Sequence, residues 1–306
     1  MVLVLLLKTI LIFLCVALAV GFYTLVERKV LSYIQIRKGP NKVGPSGLFQ
    51  PLGDAMKLFS KETVIINLSN KVMYMASPVV SVVIMFFLWS LYTSPYSVVY
   101  LKLGLLFFLV VSSLNVYPIL GSGWASNSKY ALLGSIRAVA QTISYEVSMA
   151  LMILSLLMVS VSFNFLDIYY SQVFLWLLCP LFPIFVMWLV TMLAETNRAP
   201  FDLAEGESEL VSGFNIEYGS GEFALLFIAE YGSILFMSLV TTCLFMKGFM
   251  NSSFFTIFKM LMVGYFFLWV RGSFPRMRYD VLMSLTWKSF LSLVISLGCV
   301  LLCFSA

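Results

Sequence analysis

The chain has 306 residues, 61% of them hydrophobic and 11% charged, with a formal net charge of +5 and a mean hydropathy of +0.99. Soluble domains carry roughly 45–50% apolar and about 25% charged residues, so the composition excludes a water-facing globular surface and predicts an all-α polytopic membrane protein. The sequence contains no histidine, which excludes the usual axial ligation of a b-type haem and every imidazole metal site.

A bilayer core of about 30 Å takes roughly 20 apolar residues per helical crossing. Run length predicts about eight transmembrane helices in a single membrane domain over 1–306, near 2–26, 72–93, 98–120, 137–163, 168–193, 222–246, 254–270 and 285–305. A closed barrel needs alternating strands of about ten residues, and continuous runs such as Val147–Val161 reject it.

The first stretch ends at Glu27-Arg28-Lys29 and contains Ala17-Leu18-Ala19, a small-residue pattern like a signal cleavage site. It has no basic segment before it and is longer than the usual signal core of about 7–15 residues. The expectation is a retained first helix with no transit sequence. Five cysteines, at 15, 179, 243, 299 and 303, fall inside apolar stretches and read as small buried apolar residues. No CxxC pair, Walker-type loop or GxGxxG fingerprint offers a site for a nucleotide or flavin.

Number the connections from the N-terminus. Odd loops and their flanks hold 15 of the 19 basic residues, so the positive-inside rule places them on the insertion side and both termini opposite. Of the 14 acids, only Asp167 belongs to an even loop. Long, charged, Gly- and Pro-containing odd loops point to function on that face.

The first odd loop, 28–71, contains Pro51, suited to a first helical position. After it Leu52, Ala55, Met56 and Phe59 share one helical stripe, with Asp54, Lys57 and Lys61 opposite. That pattern predicts an interfacial amphipathic helix near 51–61. In the fourth crossing Glu146 lies nine residues beyond Arg137, roughly 13 Å along a helix. Glu230 lies at similar depth in the sixth. Charge at such depth is expensive and reads first as functional. A carboxylate held only to fix the fold is the alternative.

The third odd loop runs through Glu195, Thr196, Asn197, Arg198, Ala199, Pro200, Phe201 and Asp202 to Glu205, Glu207, Glu209, Glu217 and Glu222. Phe201, Leu203, Leu210 and Phe214 lie between the acids, so the loop is expected to fold back into the bundle. Carboxylates gathered there would titrate as a set and store protons. The last odd loop brings the opposite sign, in Arg271, Arg276 and Arg278 with Asp280.

Four segments carry a resemblance: Glu27-Arg28-Lys29 through Ile34-Gln35-Ile36-Arg37-Lys38-Gly39-Pro40-Asn41-Lys42-Val43-Gly44-Pro45; Gly123-Trp124-Ala125-Ser126-Asn127-Ser128-Lys129-Tyr130 through Arg137 to Glu146; Ala194 through Glu217-Tyr218; and Trp269-Val270-Arg271 through Pro275-Arg276-Met277-Arg278-Tyr279-Asp280. Together with the helix pattern, the chain resembles the chain 1 family of NADH–ubiquinone oxidoreductase over nearly its whole length. The resemblance implies a core membrane subunit of a proton-pumping enzyme, with no redox cofactor of its own and ubiquinone as substrate. NADH, flavin and iron–sulfur clusters would belong to partner subunits of the membrane and peripheral arms. Lipids are the other neighbours implied, and nucleic acid is not among the partners.

The same resemblance implies that the first helix, the interface helix and the sixth helix frame a quinone entrance, with Arg28, Asp54, Phe223, Phe227 and Arg271 lining the channel. It assigns Glu146, Glu195, Asp202, Glu205, Glu207 and Glu230 to an acidic path toward proton translocation. Glu222 and Ser284 depart from the family pattern and receive no role. The mitochondrial inner membrane is implied, with odd loops in the matrix. Two rivals remain open. One is a free-standing ion-coupled membrane carrier, for which no internal repeat speaks. The other is a purely structural anchor, which would need no charge at mid-membrane.

Overall fold

A computed structural model describes residues 2–64, 66–92, 101–204, 206, 213–248 and 253–305. Among the described residues the chain is helical, without strands. The helices are α1 (Val2–Ile34), α2 (Gln50–Ser60), α3 (Lys71–Trp89), α4 (Gly104–Leu114), α5 (Val116–Ala125), α6 (Lys129–Ser160), α7 (Phe165–Ser171), α8 (Phe182–Glu195), α9 (Ser220–Phe245) and α10 (Ser253–Ser273). The last crossing is α11 (Tyr279–Ser284), a π turn (Leu285–Phe290) and α12 (Leu291–Ser305). Among the described residues, seven stretches are long and apolar enough to cross a membrane, with α8 as a shorter apolar helix.

The fifth apolar run is not one helix. It divides into α7, which ends at Ser171, and α8, which begins at Phe182 with Pro183 in its first turn, where proline's missing N–H costs nothing. Gln172 spans the break. Its side-chain amide donates to the Cys243 and Leu244 carbonyls and its oxygen accepts from the Lys247 amide. The backbone left open between α7 and α8 is thereby stitched to the end of α9.

Helix α9 is the centre of the bundle. It packs on α1, α2, α3 and α10, and its residues from Ile234 to Phe245 are all buried. Its Phe236 and Phe245 are fully enclosed, as are Trp188 of α8 and Phe108 of α4. Buried hydroxyls on these helices, such as Ser148, Ser155, Ser238 and Thr242, donate to carbonyls three residues back. Polar side chains are thus satisfied locally, which lets them sit where helices approach closely.

The cysteine expectation needs correction. Only Cys243 is buried, while Cys15, Cys179, Cys299 and Cys303 are exposed on the chain. Apolar run length places a residue within a crossing but does not say which face turns inward. The first and last crossings sit at the edge of the bundle and leave most of their surface uncovered.

The third odd loop does fold back. Phe201, Leu203, Ala204 and Phe214 are buried, and the Gln141 amide on α6 donates to both the Ala194 and Phe201 carbonyls. A Cβ on Gly134 would stand 2.9 Å from the Gly213 Cα, so α6 and this loop meet backbone to backbone. Further along, Tyr218 stacks on Tyr74 at 4.4 Å. The Met277 amide donates to the Pro200 carbonyl and joins the third and last odd loops.

Candidate functional site

Helix α2 forms where the sequence pattern places it, and its apolar side chains Leu52, Met56 and Phe59 are left exposed. Its half-buried side carries Pro51, Asp54, Ala55 and Leu58, while Lys57 is exposed. Asp54 takes Arg28 of α1 at 2.6 Å, and its other oxygen accepts from Gln50. The interface helix is therefore anchored to the odd-face end of α1.

One residue earlier on α1, Glu27 turns inward and is 5% exposed. Its carboxylate pairs with Arg271 at the end of α10 and lies 4.0 Å from Arg198. Arg198 reaches this position because α8 ends in a tight turn. Asn197 adopts a left-handed conformation (φ 49°), and the Arg198 amide donates to the Leu193 carbonyl. The guanidinium also stands 3.7 Å from Glu230 and lies over the Tyr231 ring at 4.3 Å. Coulomb attraction falls as the inverse of distance, so the two carboxylates differ in their pull by only about a tenth. Arg198 is shared between them.

The face of α9 that carries this cluster is aromatic. Phe223 and Phe227, one turn apart, approach to 4.3 Å, and Tyr231 continues the row at 6.1 Å. Tyr23 of α1 closes on Tyr231 at 6.0 Å and donates to the Gly264 carbonyl of α10. Charge and ring contacts together bind α1, α9, α10 and the end of α8 into one unit.

Beyond Glu230 lies a small cavity of about 50 Å³, lined by Glu195, Glu230, Asn115, Asn197 and Ser233 among others. Its size, and these polar groups set among apolar residues such as Ile84, Met85 and Leu226, leave room for ordered water. Glu146 of α6 lies within electrostatic reach of Glu195. Asp202 is paired with Arg276 at 3.4 Å. Glu205 and Glu207 lie outside the described residues, as do Glu209 and Leu210.

A model of the NADH dehydrogenase family matches residues 7–303. The chain belongs to that family. It is 53% identical to NADH-ubiquinone oxidoreductase chain 1 of Zaedyus pichiy over 288 residues, covering 92% of this chain and 91% of the relative. The chain 1 protein of Aedes aegypti is 53% identical, with 94% and 91% covered. That of Balaenoptera physalus is 52% identical, with 92% and 91% covered.

Within this family member, Arg271 and Glu230 belong to one network, and Glu195 and Glu230 share one cavity. The residues that make these links, Glu27 and Arg198 with Tyr23 and Tyr231, were not singled out as site residues by sequence reasoning. Glu27 precedes two basic residues and reads as part of a loop edge. The signal that finds it is distance. Lys8 and Glu27 bound the apolar core of α1, 19 residues or about 28 Å apart at 1.5 Å per residue, so Glu27 marks the inner end of a crossing rather than solvent.

Proposed function

We propose that this chain, a membrane subunit of NADH–ubiquinone oxidoreductase, walls the path by which ubiquinone leaves the lipid and couples its reduction to proton movement. The entrance is framed by α1, α2 and α9, with Arg28, Asp54, Phe223, Phe227 and Arg271 along it. The acidic path runs through Glu230, Glu195 and Glu146, with Asp202, Glu205 and Glu207 on the adjoining loop. The chain acts as one membrane domain over 1–306 in the mitochondrial inner membrane, with its odd loops toward the matrix. Its partners are the other membrane-arm and quinone-module subunits, which supply the NADH, flavin and iron–sulfur chemistry.

The observation that carries this reading is the unbroken charge relay Arg271–Glu27–Arg198–Glu230, which meets the Glu195 cavity at its inner end. Reduction of ubiquinone to ubiquinol takes up two electrons from a partner subunit and two protons. Protons drawn toward the quinone leave a charge imbalance beside the relay. At an effective dielectric of about 20, a unit charge at 4 Å is worth roughly 4 kcal/mol, enough to shift Arg198 from one carboxylate to the other. That shift changes the proton affinity of Glu230 and of the cavity it shares with Glu195.

Glu195→Gln in the assembled complex tests the path. The expected result is retained quinone reduction with fewer protons moved per electron. Full reduction together with full pumping removes Glu195 from it.

A further inference from the structure

A second chamber lies on the other side of α1. A cavity of about 750 Å³ opens between α1 and α10 and is backed by α9. Its walls include Leu11, Cys15, Ala19, Leu239, Leu261 and Tyr265. At 100° per residue its α1 residues from Leu11 to Val26 centre on a direction some 140° or more from Gly21 and Arg28, which face α2. The chamber is thus separate from the proposed quinone entrance.

The occupant follows from size and from charge. The α1 wall runs from Leu11 to Val26, about 22 Å at 1.5 Å per residue. The chamber's volume falls in the range of about 300–1,000 Å³ that encloses one small ligand, and its lining is overwhelmingly apolar.

One turn toward the even face, Lys8 lies on the same stripe of α1 as Leu11, Cys15, Ala19 and Val26. It is exposed and, among the described residues, makes no hydrogen bond or ion pair. Lys247 and Lys259, also on the even side, are engaged: Lys247 lies over Tyr169, and Lys259 lies over Trp176 and donates to the Met246 carbonyl. Lys8 therefore sets a free cation at headgroup depth directly above an apolar slot.

We propose that the chamber binds a phospholipid of the even-side leaflet, its phosphate on Lys8 and one acyl chain between α1 and α10. A quinone carries no anionic head to answer Lys8, and a free phosphate has nothing to place in the slot.

The test uses the whole assembled complex, stripped of loose lipid in detergent and reconstituted in nanodiscs of phosphatidylethanolamine and phosphatidylglycerol. Native mass spectrometry counts retained phospholipid, and a membrane-permeant maleimide reports on Cys15, which lines the slot. Ala19→Phe fills the slot and should remove one phospholipid per complex. Ala17→Phe, the same change on the opposite face of α1, should not. Lys8→Gln should lower retention several-fold while Cys15 becomes correspondingly faster to alkylate. An unchanged count in Ala19→Phe overturns the proposal. So does crosslinking of Cys15 to a partner subunit, or protection of Cys15 by added ubiquinone but not by phospholipid. Should Ala19→Phe fail to assemble, the Lys8→Gln count decides alone, and wild-type retention there overturns it.

Discussion

Glu27 and Arg271, 244 residues apart in sequence, form an ion pair that ties the odd-face end of α1 to that of α10. Breaking a buried pair by removing one partner costs about 3–5 kcal/mol, because the remaining charge is stranded. Arg271 is 35% exposed at its side chain, so water offsets part of this, and about 2–3 kcal/mol is expected for Glu27→Gln. The assembled complex should melt at lower temperature and accumulate to a lower level on native gels. Glu27→Gln combined with Arg271→Met should recover part of the loss, since the stranded charge is gone.

The Arg28–Asp54 pair next to it should behave differently. Its contact is close at 2.6 Å, yet 52% and 33% of the two side chains are exposed. Exposed pairs contribute about 0–1 kcal/mol. Asp54→Asn should leave assembly nearly unchanged while raising the KM for ubiquinone if Asp54 lines the entrance. A large assembly defect would place Asp54 in the scaffold instead.

Two glycines on the odd face should respond to alanine in opposite directions. A Cβ at Gly134 meets the Gly213 backbone at 2.9 Å and the Ala204 carbonyl at 3.2 Å. Backbone cannot swing aside as a side chain can, so Gly134→Ala should loosen the loop from α6 and expose 195–204 to protease. At Gly53 in α2 nothing lies within 4 Å. There alanine removes only the entropic penalty of glycine in a helix, about 0.5–1 kcal/mol, and amide exchange in α2 should slow about two- to five-fold.

The crossings were legible because run length and bilayer thickness are the same physical quantity. The faces of the crossings were not, since a residue such as Cys15 or Cys243 is apolar whether it meets lipid or protein. The inward fold of the third odd loop could be read from Phe201, Leu203 and Phe214 standing between acids. Its fixings could not, because Gln141 sits on another helix and pairs with backbone carbonyls that no side-chain pattern reveals. Glu146 and Glu230 announced themselves by depth. Arg198 looked like an ordinary loop cation, and its place between Glu27 and Glu230 depends on a helix-terminating turn at Asn197 together with a contact between α1 and α9.

Arg198 is where that network is most sensitive. Lysine keeps the charge but is a point donor on a flexible stem, whereas the guanidinium spans two carboxylates and stacks on Tyr231. Arg198→Lys forfeits the ring contact, about 0.5–1 kcal/mol at accessible sites, and one of two charge-assisted contacts, about 1.5–3 kcal/mol. Glu27 and Glu230 still share a cation, so the complex should assemble. Ubiquinone reduction should fall about tenfold or more, since each 1.4 kcal/mol is a factor of ten in rate. Electron flow from NADH to a water-soluble acceptor upstream of the membrane should be untouched. Arg198→Met leaves Glu230 without its cation and Glu27 with Arg271 alone, so it should lower the amount of complex as well as its rate. Wild-type ubiquinone reduction in Arg198→Lys would mean that a single shared charge suffices there, and that the guanidinium's two-sided geometry plays no part in coupling.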